Sequence, residues 1–196
     1  MQPQIIKQRH KNKQQIIKTQ KFKFWEKVIL IPILFLVFSI IFVCVYFNLR
    51  LNTNPSIPVG IYQLQKKSPQ KNDYVSFCPP TDSIFMMAIK RGYLQQGYCF
   101  SKTLPMMKKI IAVQGDTINI GRNGIYVNNQ IIKNSKPYKV DGNNQPLPQL
   151  TMQNYTLKNN EFLMFGENNL RSFDSRYFGT IHEQQIIGVL KPVFIF

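Results

Sequence analysis

The feature that most constrains this chain is Val28 to Phe47, twenty consecutive residues without a charge (VILIPILFLVFSIIFVCVYF). At ~1.5 Å of rise per residue, a helix of that length spans ~30 Å, the thickness of a bilayer's hydrocarbon. No polar stripe runs along it, as one would on a helix packed against a soluble core. Pro32 falls near the start, where a missing backbone donor is tolerated, and Trp25 and Tyr46 bracket the run as interface anchors. The run predicts a transmembrane helix. Asn48 to Asn52 offer no small-x-small cleavage site, and both the run and the basic stretch before it are long for a signal peptide. A retained anchor fits better than a cleaved leader.

Charge follows that division. Of 25 Lys+Arg and 9 Asp+Glu, residues 1–27 hold eight bases (Lys7, Arg9, Lys11, Lys13, Lys18, Lys21, Lys23, Lys27) against Glu26 alone. The positive-inside rule makes residues 1–27 a basic cytoplasmic tail, residues 28–47 the anchor, and residues 48–196 the exported domain. In a bacterium this is a single-pass inner-membrane protein with its folded domain on the periplasmic side. The exported part keeps 17 bases (25 minus 8) and 8 acids (9 minus 1), spread without a long run. That pattern reads as a solvated surface facing anionic membrane, so nucleic acid is not an expected partner.

Beyond the anchor, strand signals dominate. Gly60–Leu64, Tyr74–Phe77, Thr117–Ile120, Ile125–Val127, Gln130–Ile132, Glu161–Phe165 and Ile186–Leu190 are short apolar or alternating runs between turn residues. Asn123-Gly124 is a type I′ hairpin signal, and Asn128-Asn129 a second tight turn. Ile84 to Lys90 reads as a short helix or a further strand. Residues 133–150, rich in Lys, Asn, Pro and Gln, read as an exposed loop. Ile84–Met87 and Val193–Phe196 suit either lipid contact or core strands, with core strands favoured. The expected fold is mostly β, built from antiparallel sheets. Cys78 and Cys99 fall in the exported part, whose oxidising compartment permits a disulfide; two unpaired thiols are the other reading. Cys44 lies inside the apolar run.

Three segments ask for more than sheet packing: Asn54-Pro55-Ser56-Ile57-Pro58-Val59-Gly60, Lys108 to Asp116, and Ser172-Phe173-Asp174-Ser175-Arg176-Tyr177-Phe178-Gly179. Histidine is scarce. His10 and His182 stand too far apart in the chain for a zinc site or a His-based triad to be expected, and no metal or cofactor is expected. A serine nucleophile then needs another base, and a neutral lysine can serve. At a reference pKa of ~10.4 only roughly one lysine in 2,500 is neutral at pH 7, so the amine must be buried to be useful. Lys108, between Met106-Met107 and Ile110-Ile111-Ala112-Val113, is placed for that. On a strand Lys108 and Lys109 face opposite ways, so only one enters the site.

These segments resemble the boxes of the type I signal peptidase family of Ser–Lys proteases, and more narrowly the TraF-type peptidases of conjugative transfer. The resemblance runs from the anchor to the C-terminus. It implies a signal peptidase-like catalytic domain in which Ser56 attacks the scissile carbonyl and Lys108 takes its proton. It further implies that Ser172 orients the lysine amine, that Asp174 and Arg176 form a supporting ion pair (a more direct role for Asp174 staying open), and that the oxyanion is held by the Ser56 backbone N–H with the Asn54 side chain. Phe-Cys-Pro-Pro and Gly-Tyr-Cys resemble this branch's paired cysteines, which points to a Cys78–Cys99 bridge. The chain departs from the usual lysine box at Gln114, where Pro is common, and at Lys109, where Arg is common. Altered turn rigidity is expected from this, not lost chemistry.

The substrate implied is an exported, pilin-like precursor processed at the membrane, with mating-pair formation proteins as partners and with either hydrolysis or cyclisation as the outcome. Ser56 lies nine residues past Phe47, at most ~30 Å of extended chain, which keeps the nucleophile near the membrane surface. A housekeeping type I signal peptidase is the alternative enzyme. A single-pass scaffold subunit is the non-enzyme alternative, and it leaves the three boxes unexplained. Ser68-Pro69-Gln70-Lys71 fits a Ser-x-x-Lys pattern without the companion motifs of penicillin-binding enzymes.

Overall fold

A computed structural model describes residues 28–196; the basic tail and Trp25 lie outside the described residues. The chain divides between Phe47 and Asn48 into two units. The first is helix α1 (Val28–Tyr46), 19 residues whose large apolar side chains are exposed along its length. The hydroxyl of Ser39 donates to Phe35 O at 2.8 Å, satisfying the polar group inside the run.

The second unit is built from antiparallel strands. A seven-stranded sheet has the order β1-β2-β11-β3-β4-β9-β10. Its strands are β1 (Leu49–Asn52), β2 (Gly60–Gln65), β3 (Tyr74–Phe77), β4 (Met106–Ala112), β9 (Glu161–Phe165), β10 (Thr180–His182) and β11 (Ile186–Ile195). A four-stranded sheet, β7-β6-β5-β8, consists of β5 (Thr117–Gly121), β6 (Gly124–Val127), β7 (Gln130–Ile131) and β8 (Met152–Thr156). The mostly β expectation holds.

Strands β4 and β9 join two cores by alternation. Ile110 and Met164 face one cluster with Val75, Phe77 and Phe85, while Ile111, Leu163 and Phe165 face the other with Ile118, Ile120 and Ile125. A third, small cluster of Ile57, Tyr62 and Leu190 lies under the segment that carries Ser56.

Some local expectations are decided between their alternatives and others are corrected. Residues 84–90 belong to a helix, α2 (Ser83–Lys90), because Asp82 caps it, its carboxylate accepting from Ile84 N and Phe85 N at 3.1 Å each. Gly121 pairs directly with Gly124, so the first hairpin turns on Arg122-Asn123 and not on Asn123-Gly124. The type I′ signature falls on the second hairpin, where Asn128 (φ 49°) and Asn129 (φ 65°) are both left-handed between paired Val127 and Gln130. Val193–Phe196 is not core: β11 ends at Ile195 after a register shift between Pro192 and Phe194, Phe196 follows it, and the side chains are exposed. The 133–150 loop is partly built in, since Ser135 is buried and accepts the Ile125 N–H at 2.8 Å.

Candidate active site

Strand β1 ends in Asn52, and the chain then crosses to β2 through residues 53–59. Buried Asn52 organises this crossing. Its Nδ2 donates to the carbonyls of Asn54 (2.9 Å), Ile57 (3.3 Å) and Pro58 (2.9 Å), while its Oδ1 accepts from Asn54 N at 3.1 Å. Tyr62 adds a hydroxyl donation to Pro58 O at 2.6 Å, and Ile57 is fully buried in the small cluster below. The crossing is pinned at both ends. Ser56 sits at its centre and is only 3% exposed.

Two further ties come from the segment after β9. Asn168 N donates to Ser56 O at 3.2 Å, and Ser172 Oγ donates to Ser56 Oγ at 3.4 Å. Gly166 makes this approach possible. A Cβ there would lie 2.1 Å from Ser172 Oγ and 3.3 Å from Ser56 Cβ.

Lys108 is the third residue of β4, whose first four positions alternate buried and half-buried; Lys108 is 4% exposed. Burial pushes its amine down to about 8; the carboxylate of Asp174 acts the other way, and the Arg176 guanidinium reinforces the lowering. Lys109 faces out as alternation requires, its Nζ donating to Glu167 Oε2 at 2.7 Å. Tyr74 shares that carboxylate through a 2.5 Å bond to Oε1. Lys71 of the Ser-x-x-Lys stretch is paired with Asp116 at 2.9 Å.

Asp174 and Arg176 form a fully buried, bidentate pair, Nε to Oδ1 at 2.8 Å and Nη2 to Oδ2 at 2.9 Å. The carboxylate also accepts from Gly166 N at 3.0 Å and caps α3 (Ser175–Phe178) through Arg176 N. The guanidinium donates to the carbonyls of Leu170 and Ser172, each at 2.9 Å. One ion pair thus clamps Gly166 and Ser172, the two residues that meet at Ser56.

Ser56, Lys108 and Ser172 line one cavity of about 570 Å³. Its other walls come from β1, from the 93–107 segment and from the 138–147 loop. Cys78 and Cys99 are disulfide-bonded, which fastens the segment after β3 to the turn beside the cavity. Two details differ from the sequence reading. The one side-chain hydrogen bond of Ser172 among the described residues goes to Ser56, not to the lysine amine. Asn54 is an acceptor, not a donor: its Oδ1 takes both the Ser56 N–H (2.9 Å) and the Ser56 hydroxyl (2.7 Å). Both oxyanion candidates are therefore engaged with each other in this arrangement.

Sequence reasoning did not find Asn52, Gly166 or Glu167. Gly166 had a readable signal, a glycine directly after an apolar strand run. Asn52 and Glu167 had none, because their partners are set by the fold.

The description "Signal peptidase, peptidase S26" matches residues 22–195. The chain belongs to this signal peptidase family. It is 40% identical over 144 residues to Plasmid transfer protein TraF of Escherichia coli, covering 74% of this chain and 81% of that one. To Signal peptidase I V of Bacillus subtilis it is 27% identical, over 44% of this chain and 55% of the relative. A crystal structure of a signal peptidase I from Enterococcus faecalis matches 64% of this chain and 98% of its own, at 23% identity and a TM-score of 0.37.

Proposed function

We propose that this chain is a membrane-anchored serine endopeptidase that uses Ser56 as nucleophile and Lys108 as general base to mature an exported, pilin-like precursor of a conjugative transfer system. The observation that carries the proposal is the shared cavity: a buried serine and a buried, weakly basic lysine open onto the same space. Membership of a signal peptidase family and 40% identity to a plasmid transfer protein support the substrate class.

In this reading the Ser56 hydroxyl turns from Asn54 to Lys108, and neutral Nζ takes its proton as Oγ bonds to the scissile carbonyl carbon. The Asn54 side chain swings away and releases the Ser56 N–H to the developing oxyanion. The protonated amine then passes its proton to the leaving nitrogen as the C–N bond breaks, leaving an acyl-enzyme on Ser56. With its amine at about 8, about one Lys108 in ten is neutral at pH 7, roughly 250-fold more than for a free lysine. Asp174 and Arg176 act as positioning residues in this scheme.

Helix α1 is the anchor, with the N-terminus cytoplasmic and the β unit periplasmic. The disulfide supports that side independently of the charge rule, since such bonds persist in oxidising compartments. Co-expression with a candidate pilin precursor tests the proposal. Ser56→Ala and Lys108→Ala should each leave the precursor uncut; processing that survives both overturns it and favours a scaffold role.

A further inference from the structure

Arg171 stands immediately before Ser172 on the cavity wall, with its guanidinium carbon 4.8 Å from the ring centre of Tyr138. Its backbone N–H is held by Asn169 Oδ1 at 2.9 Å, which fixes where the side chain starts. Arg50 lines the same cavity from β1, an edge strand of the larger sheet, and its Nη1 donates at 3.0 Å to the carbonyl of its own neighbour, Leu49. Among the described residues neither guanidinium meets a carboxylate.

Among the described residues Asp141 is the only carboxylate lining the cavity, and it is already committed. It pairs with Arg91 at 3.8 Å and accepts from the Tyr93 hydroxyl and from the N–H groups of Asn143 and Gln145. The proposed peptidase chemistry uses neither arginine. Besides the Lys108 amine, the cavity therefore offers an apolar wall, including Leu94, Leu104 and Leu147, together with two guanidinium cations that have no carboxylate partner among the described residues.

We propose that Arg171, assisted by Arg50, recognises a carboxylate on the bound precursor within a few residues of the scissile bond. This rests on the endopeptidase reading of Ser56 and Lys108, and it makes Arg171 a specificity determinant. A guanidinium stacked on an aromatic ring keeps its planar fork oriented, so a carboxylate is met bidentately at little ordering cost. An amide of the same shape gains neither the charge nor the second matched acceptor. The carboxylate belongs to an Asp or Glu side chain or to a free C-terminus.

The test uses the full-length chain in detergent, with Ser56→Ala to stop turnover and fluorescence anisotropy to read binding. The probes are Ala-rich peptides with a small-x-small cleavage sequence, carrying Glu or Gln at each of three positions on either side of the cut, each with a free or amidated C-terminus. At one position, or at the terminus, the acid should bind about tenfold tighter than its amide partner. Arg171→Gln should bring that ratio close to one, Arg50→Gln should reduce it, and Arg171→Glu should transfer the preference to a Lys peptide. Equal binding of acid and amide at every position, including no binding of either, overturns the proposal, as does a ratio that survives both Gln variants. The underlying reading fails separately, through cleavage of the same peptides that persists when Ser56→Ala is compared with the parent enzyme.

Discussion

At the residue scale, Lys108 sets chemistry against stability. Its folded-state amine lies near 8 and its unfolded value near 10.5, because burial disfavours the charge. Below pH 8 both states are protonated and the folded state carries the whole penalty, about 3 kcal/mol. Between 8 and 10.5 only the unfolded state stays charged, so stability rises with pH and the penalty disappears. Lys108→Met should therefore raise the urea midpoint at pH 7, by an amount that shrinks towards pH 10.5; an equal gain at both pH values would show that the lysine is not buried as a charge. Gly166 gives a second test. Gly166→Ala places a Cβ 2.1 Å from Ser172 Oγ, so Ser172 and Ser56 must part. A loss of about 1–3 kcal/mol is expected by thermal unfolding, with a larger fall in precursor processing. Ser56 and Lys108 were singled out through the resemblance of their segments to known boxes, since alone each would pass for an ordinary loop serine or surface lysine; the fold buries both and opens them onto one cavity. The role of Asn54 was misread, because residue type alone leaves open whether its oxygen or its nitrogen faces the serine.

At the element scale, the lysine-box turn shows why Gln114 is tolerated. Asp116 N donates to Val113 O at 3.0 Å across a turn whose third residue, Gly115, has φ 83°. That is a type II turn with Gln114 in the second position, where Pro fits without losing anything. Gln114→Pro should stabilise by about 0.4–1 kcal/mol through the unfolded chain, with processing unchanged. The Cys78–Cys99 bridge spans 21 residues, so Cys78→Ser with Cys99→Ser should cost roughly 3 kcal/mol, read as a lowered Tm that reductant does not lower further. Strands with clean alternation or neighbouring hairpins were readable. β1, β8 and β10 were not, being short and polar, and they exist through pairing with β2, β5 and β9. Nothing local announced that β11 inserts between β2 and β3, since sequence-distant pairing leaves no periodic mark. The 133–150 loop was read as exposed on composition, yet its Tyr138, Val140 and Asp141 form a cavity wall.

At the scale of the whole molecule, an apolar 19-residue helix precedes a β unit that contains the complete candidate site. The full chain should stay in the membrane pellet after carbonate extraction, and added protease should reach the β unit only from the periplasmic side. The central claim is that a neutral Lys108 activates Ser56. The measurement closest to it is the pH dependence of Ser56 acylation in single-turnover assays, from pH 5 to 9, on the full-length enzyme in detergent. The account predicts a rate that rises with an apparent pKa near 8 and falls about 10²–10⁴-fold in Lys108→Ala at the plateau. A flat profile across that range, or a Lys108→Ala enzyme that acylates at the parent rate, would contradict it.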